Sequence, residues 1–332
     1  MSIKNNAVDN VNDPIFRDIK MLGPSEIKSL VSMEDAIDAM EAAFSSFSDG
    51  SSQVPQRYVS AIHNLNLLLK PAYSEKLGRL AVKIITQKTG GSMQGVPTIL
   101  GVVLLLDMKT GKILAMMDGA HITALRTGAA GGIAAKLLAI ENAETVAVFG
   151  CGTQGKTQLE AVCSAMPIKR ALLFDRNATA AQNLKAEVEE ALNIDIRVSE
   201  NPEDVKEAKI ICTATNAESP LFSERDISKG THINAIGSFK PNMQEIDPAI
   251  LKTGRLFVDS RESVLKESGD LIKSIDEGIF TNDVIEAEIG ELINKKAEGR
   301  RNDDEVTIFK SVGLGLQDLF MANMIYEKYL QQ

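Results

Sequence analysis

The segment TVAVFGCGTQGKTQLEAVCSAM, residues Thr145–Met166, decides the fold. Val146, Val148 and Phe149 read as a buried strand, and Gly150, Gly152 and Gly155 form a tight turn. Over Thr157–Met166 the residues Leu159, Val162, Cys163 and Met166 recur at helical spacing. A strand, glycine turn and helix in this order leave backbone N–H groups free at the positive end of the helix, where a phosphate can sit. The first glycine permits the turn, the second lets a pyrophosphate approach, and the third lets helix pack on strand.

Two phosphate motifs overlap here. Gly150 to Gly155 is G-x-G-x-x-G, the dinucleotide pattern, while Gly150 to Thr157 is also G-x-x-x-x-G-K-T, the nucleoside triphosphate pattern. ALLFD, Ala171–Asp175, could serve either, as a second strand ending in a ribose-binding acid or as a metal-binding strand. Asp175 lies about 20 residues beyond the turn, where an acid bonds the adenosine ribose, and no triphosphate-sensing apparatus follows. The balance favours a dinucleotide. A carboxylate at Asp175 would repel a 2′-phosphate, which favours NAD, whereas the adjacent Arg176 still admits NADP.

Downstream the β–α alternation continues. Strands are expected at Ala171–Asp175, Ile194–Val198, Lys209–Ala214, Thr231–Ile236 and Arg255–Asp259, with a helix over Ala178–Leu192. Such alternation predicts an α/β fold with a doubly wound parallel sheet. Upstream, short strands separated by turns (Arg57–Ile62, Leu65–Ala72, Leu80–Thr86, Leu100–Asp107, Ile113–Met117) predict a mainly antiparallel meander. A helix over Ser32–Phe47 precedes it, and residues 1 to about 20 read as a loose polar arm. The small residues of Ile122–Ile140 suit a helix packed closely on a neighbour. Val306–Phe309 reads as a last strand, and Val312–Leu330 as a closing helix that returns to the first domain. The expected division is therefore a second α+β domain from residues 1–120 and 311–332, and a nucleotide-binding domain from 121–310.

A chain of 332 residues with net charge −9 carries no basic run, which argues against a nucleic-acid partner. Nothing resembles a signal peptide or a membrane-spanning stretch. Cys151, Cys163 and Cys212 lack metal-type spacing, and His63, His121 and His232 are scattered, so no metal site is expected. Reduced thiols fit a cytoplasmic protein.

Two cations interrupt strongly apolar stretches. Lys83 lies among Leu80, Val82, Ile84 and Ile85, and Arg126 sits inside the small-residue helix. An unpaired buried cation is costly, so the expected partner is an external anion, a substrate carboxylate or a cofactor phosphate. Arg57, at the start of its strand, is a third candidate.

With Arg126-Thr127 and the glycine turn in view, the chain resembles the ornithine cyclodeaminase/μ-crystallin family over about residues 25–330. The resemblance rests on GVPTILGVV (95–103), ALRTGAAGGIAAKLLA (124–139), VAVFGCGTQGKTQLEAV (146–162), NAIGSFKPNMQEID (234–247), VDSRESVLKESGD (258–270) and TIFKSVGLGLQDL (307–319). Several separate blocks in one order decide against the triphosphate. The resemblance implies a homodimer with a Rossmann domain holding NAD(P) and a second domain supplying dimer contacts and substrate pocket. It implies Arg57, Lys83 and Arg126 as the substrate-carboxylate cluster, with Val312 bordering the substrate. Cofactor contacts would come from Thr98, Arg126, Thr127, Gly150, Gly152, Thr153, Gln154, Asp175, Arg176, Thr213, Ala235 and Ser311.

Members of the family reduce C=N bonds or cyclise ornithine with release of ammonia, and the crystallins of the family keep the fold with little activity. Cyclodeaminases carry an aspartate two residues before the proline of the Asn-Ala-Ile-Gly block, where this chain has Phe239, which cannot carry a proton. The expectation is therefore an NAD(P)-dependent oxidoreductase acting at the C–N bond of a small amino acid or cyclic imino acid, on the ketimine reductase/amino-acid dehydrogenase side of the family, with an ornithine cyclodeaminase and a crystallin-like nucleotide binder as the alternatives. The imine nitrogen gains its proton from Lys83 or an ordered water, and Lys83, its pKa lowered by burial beside another cation, is the favoured donor.

Overall fold

The structure, a computed structural model, describes residues 18–89 and 97–332. The arm expected over residues 1 to about 20 lies outside these as far as residue 17, and so do the first two residues of the block 95–103. At the end of the expected arm, Lys20–Leu22 forms a short strand, β1. Helix α1 (Pro24–Leu30) and helix α2 (Met33–Ser48) follow. The Ser32 hydroxyl caps α2 by accepting from Asp35 N, and Ala36, Met40, Ala43 and Phe44 form its buried stripe.

Strands β2 (Ser52–Gln53), β3 (Tyr58–Ile62), β4 (Leu65–Ser74), β5 (Arg79–Lys88), β6 (Ile99–Asp107) and β7 (Ile113–Asp118) complete a seven-stranded sheet with β1. Its pairs are antiparallel except β1 with β7. The alternation of apolar residues, together with turns such as Asp107–Gly111, is enough to produce this meander.

Helix α3 (Gly119–Leu138) begins as β7 ends, with the Asp118 carboxylate capping it through His121 N at 2.6 Å. It starts three residues earlier than expected because Asp118, rather than a residue nearer Ile122, is its cap. Its small residues serve close packing: a Cβ on Gly128 would meet Thr157 O at 2.4 Å, and one on Gly131 would meet Gln158 Oε1 at 2.0 Å.

Beyond it the chain alternates: β8 (Thr145–Phe149), α4 (Thr153–Ala165), β9 (Arg170–Phe174), α5 (Ala178–Leu192), β10 (Asp195–Val198), β11 (Ile210–Thr213), β12 (Glu218–Phe222), β13 (His232–Ala235), β14 (Gln244–Ile246), α6 (Pro248–Thr253), β15 (Arg255–Val258), α7 (Arg261–Glu267), α8 (Gly269–Asp276), β16 (Ile285–Glu288), α9 (Ile289–Ile293), β17 (Thr307–Lys310) and α10 (Gly315–Leu330). Eight of these strands form a parallel sheet in the order β10-β9-β8-β11-β13-β17-β15-β16, and β12 pairs with β14 separately. The order reverses direction between β8 and β11, which is where ligands of such sheets bind. The α/β fold with one doubly wound parallel sheet and one mainly antiparallel sheet is the expected one.

Three features differ from expectation. The β12–β14 pair and the edge strand β16 are too short and too charged to register as periodic runs. Helix α4 begins at Thr153 rather than Thr157, because the glycine turn itself opens the first helical turn. The closing helix begins at Gly315, leaving residues 311–314 as an extended connection. That helix packs on the first sheet and on α2, and its Leu316, Leu319, Met321, Ala322 and Ile325 share a core with Met40, Phe44, Val103 and Ile133.

Candidate active site

The glycine turn follows β8 at the switch point. Gly150 has φ +92°, and a Cβ there would lie 2.5 Å from Ala214 O, so only glycine fits between the two strand ends. Gly152 is the N-cap of α4 with no side-chain cap, and open space lies where its Cβ would be. The first N–H groups of α4 are thus left for a ligand, the arrangement a pyrophosphate needs.

Beside the turn is a cleft of about 720 Å³ lined by Gly150, Gly152, Asp175, Arg176, Ser199 and Thr215, among others. Asp175 accepts from Cys151 N at 2.7 Å and Asn177 N at 2.8 Å, which fixes its carboxylate at the cleft rim. Lys156, the lysine of the triphosphate pattern, points away and pairs with Glu187 and Glu160. The geometry suits a dinucleotide and offers a triphosphate no lysine.

Around this cleft the expected cofactor residues divide. Gly150, Gly152, Asp175 and Arg176 line it, with Thr153 and Gln154 opening α4. Thr213 and Ala235 end β11 and β13, but the Thr213 hydroxyl is engaged with Glu245 Oε2 at 2.9 Å. Thr127 is buried in α3 and its carbonyl accepts from Gln158 Nε2 at 2.7 Å. The Ser311 hydroxyl donates to Asp259 Oδ2 at 2.7 Å, and the same oxygen accepts from Val312 N and Gly313 N. Thr98 is exposed just before β6, its carbonyl accepting from Lys88 N, and lines neither cleft described here.

A second cleft of about 860 Å³ opens between the first sheet and the carboxyl end of β15. Arg57, Lys70, Lys266, Glu262, Glu267 and Gly313 are among its lining residues. Lys83 and Arg126 lie behind it. The expectation that their anionic partner comes from outside is corrected: both face Asp318, whose Oδ1 is 3.0 Å from Lys83 Nζ and 3.5 Å from Arg126 Nε. Arg57 likewise has an internal partner, Glu267, at 2.7 Å.

Lys83 also donates to the Thr123 hydroxyl, so two of its three ammonium hydrogens are used. Burial lowers its pKa to about 8, with Asp318 pulling upward and Arg126 and Lys70 pushing down. Burial raises the Asp318 carboxyl, but the Lys83, Arg126 and Lys70 charges outweigh it and hold it below its ordinary value. Arg126 Nη1 donates to Gln317 Oε1 at 2.8 Å, while Arg126 Nε, Gln317 Nε2 and Asp318 Oδ2 have no hydrogen-bond partner among the described residues. Such orphaned atoms in a buried charged cluster are what a bound polar ligand would satisfy.

Asp318, Glu267, Lys70 and Glu245 escaped the sequence reading. Lys70 carries the same signal that marked Lys83, a lysine in the apolar run LNLLLKPAYS, and stands directly opposite it in the β4–β5 register. Glu245 accepts from Thr213, Thr215 and Ser238, tying together the loops after β11 and β13. Phe239, which stands where cyclodeaminases carry an aspartate, is 46% exposed beneath Lys240, and Met243 nearby is buried.

The model of the ornithine cyclodeaminase/mu-crystallin family matches residues 17–332. The chain is 39% identical over 316 residues to the Δ1-pyrroline-2-carboxylate reductase of Bacillus cereus, covering 94% of this chain and 97% of the relative. The structure of Thermococcus litoralis Δ1-pyrroline-2-carboxylate reductase in complex with NADH and L-proline superposes with a TM-score of 0.89 at 38% identity, covering 94% of this chain and 98% of the other. An archaeal alanine dehydrogenase dimer with bound NAD superposes with a TM-score of 0.88 at 34% identity, over 94% of this chain and 96% of that one.

Proposed function

The chain belongs to the ornithine cyclodeaminase/μ-crystallin family, and from that premise we propose that it reduces small α-imino acids, of which Δ1-pyrroline-2-carboxylate is the type, with Lys83 as the proton donor. It is an NAD(P)-dependent oxidoreductase acting at the C–N bond of a small amino or cyclic imino acid.

Lys83 carries the assignment. It is a lysine with a pKa of about 8, hydrogen-bonded to Asp318 and Thr123 with one donor to spare, and it stands opposite Lys70, which lines the cleft of about 860 Å³. A pKa near the working pH suits a general acid. The nicotinamide, when bound at the switch point, supplies the hydride that goes to the imine carbon. Lys83 gives a proton to the nitrogen, completing the amine, and Asp318 holds the ammonium in place. Arg126 and Arg57 orient the substrate carboxylate. The free N–H groups of α4 hold the coenzyme diphosphate, and Asp175 takes the adenosine ribose hydroxyls, which favours NADH. Thr127, Thr213, Ala235 and Ser311 shape the coenzyme site chiefly through backbone, and Val312 borders the substrate.

A homodimer is proposed through the first sheet, where Tyr58, Val59, Ile62, Ile99 and Leu100 form exposed apolar surface. The two-domain division at residues 120 and 310 and a cytoplasmic location belong to the same proposal. Cys151, Cys163 and Cys212 are unpaired thiols, and no helix among the described residues is long and apolar enough to cross a membrane.

Purified protein incubated with Δ1-pyrroline-2-carboxylate and either NADH or NADPH tests the reading. Net loss of reduced-coenzyme absorbance with formation of L-proline is expected. Ammonia release from ornithine without net coenzyme change would place the chain among the cyclodeaminases instead, and no turnover of any imino acid would leave a crystallin-like binder.

A further inference from the structure

Resting on the reading of the chain as an imino-acid reductase, we infer that Lys70 is a second carboxylate-binding residue and that the preferred substrate is a dicarboxylic α-imino acid.

The inference comes from the charge balance of the acid cleft. Its lining cations are Arg57, Lys70 and Lys266. Arg57 pairs with Glu267 at 2.7 Å and Lys266 with Glu262 at 2.7 Å. Lys70 pairs with no carboxylate among the described residues, and its Nζ reaches only the Gly313 carbonyl, at 3.4 Å. It also faces Lys83 directly across the β4–β5 ladder, a placement in which like charges repel.

Behind the cleft, Lys83 and Arg126 share the single carboxylate of Asp318. Three cations therefore meet one anion, with Lys83 and Arg126 buried and Lys70 half-buried at the cleft wall. Burial and the Arg126 charge lower the Lys70 pKa against the upward pull of Asp318 and Glu267, and no carboxylate among the described residues makes an ion pair with Lys70. One substrate carboxylate, held by Arg126, leaves one positive charge uncompensated. A second carboxylate on the same substrate balances it at Lys70, and desolvated charges of this kind demand such balance.

Lysine at this point is not required for the strand. Residue 70 faces the cleft, so an uncharged residue of similar length would pack as well against Pro71 and Gly313, as lysine stems do. The charge itself is what the position supplies.

The experiment measures NADH oxidation with ammonia and oxaloacetate or 2-oxoglutarate, which form dicarboxylic imines. Ammonia with pyruvate, and Δ1-pyrroline-2-carboxylate, provide the monocarboxylic arm. The expected result is higher kcat/KM for the diacids. Assayed at about pH 7, where Lys83 is protonated with or without the Lys70 charge, Lys70→Met should lower diacid kcat/KM about 10- to 100-fold, the range for losing one hydrogen bond to a charged group, and lower monoacid kcat/KM less than about twofold, while Lys70→Arg retains the diacid preference. Independently of any variant, thermal melts of the wild-type protein with NAD+ should show larger stabilisation by L-aspartate or L-glutamate than by L-alanine or L-proline. Monoacids preferred in both measurements, or Lys70→Met affecting both classes equally, would overturn the inference and leave the reductase reading intact. Failure to reduce either class would instead overturn the reductase reading.

Discussion

Lys83 Nζ lies 3.0 Å from Asp318 Oδ1, with both side chains 3% exposed or less. The pair sets when Lys83 is charged. A proton donor must be protonated before the step, so kcat for imine reduction should fall as pH rises through about 8. Asp318 is the largest influence holding that pKa up, so Asp318→Asn should move the falling limb to lower pH. The same change strands two buried cations and should cost about 3–5 kcal/mol of stability. Saturating pH–rate profiles of the two proteins check this, and a limb that stays in place removes Lys83 as the donor.

Gly313 has φ +83°, and a Cβ there would sit 2.5 Å from Arg126 Nη1. Gly313→Ala should therefore combine backbone strain of about 1–3 kcal/mol with displacement of the Arg126 guanidinium. A lowered Tm together with a raised KM for the imino acid is the expected pair of effects. A lowered Tm with unchanged KM would separate Arg126 from substrate binding.

Asp175 is held at the cleft rim by Cys151 N and Asn177 N, with Arg176 beside it. Replacing Asp175 by Ser removes the ribose acceptor and the repulsion toward a 2′-phosphate together. The kcat/KM for NADH should drop about tenfold or more, as for the loss of a charge-assisted hydrogen bond, while that for NADPH rises. Coenzyme titrations at fixed substrate measure both, and an unchanged ratio would move ribose recognition elsewhere.

Glu245 is fully buried, and burial pushes its carboxyl up against the pull of Lys310. Each of its oxygens accepts from a backbone N–H, Oε1 from Thr215 N and Oε2 from Ser238 N, so Glu245→Gln turns an amide donor toward one of two groups that can only donate. The cost should be about 1–3 kcal/mol for a stranded buried group, accompanied by a higher KM for NADH because Thr215 lines the coenzyme cleft. Denaturant melts and coenzyme KM values test the two consequences separately.

How much of this was readable in sequence depended on range. The Gly150 turn, the strand periodicity around Val146 and Val148, and the small residues of α3 are local signals, and each produced the expected element. The cluster was half legible: an apolar run makes Lys83 and Arg126 stand out, but their partner Asp318 lies 235 and 192 positions away in the sequence, on a helix whose apolar stripe gives no hint that an acid faces inward. Lys83 has its carboxylate inside the protein, whereas half-buried Lys70 makes no ion pair among the described residues, a difference that the apolar runs around the two lysines do not reveal. Short elements such as β12 and β14 were missed because three to five residues carry too little periodicity to distinguish strand from loop.

The close seating of α3 against α4 has a mechanical consequence. Arg126 rides on one helix, the glycine bend opens the other, and the Gly128 and Gly131 contacts leave no slack between them, with Gln158 Nε2 pinning Thr127 O at 2.7 Å. With the coenzyme diphosphate on α4 and the substrate acid on Arg126, as proposed, the distance between the two is set by this contact as by a gauge block, and a larger side chain at Gly128 or Gly131 would shift both positions together.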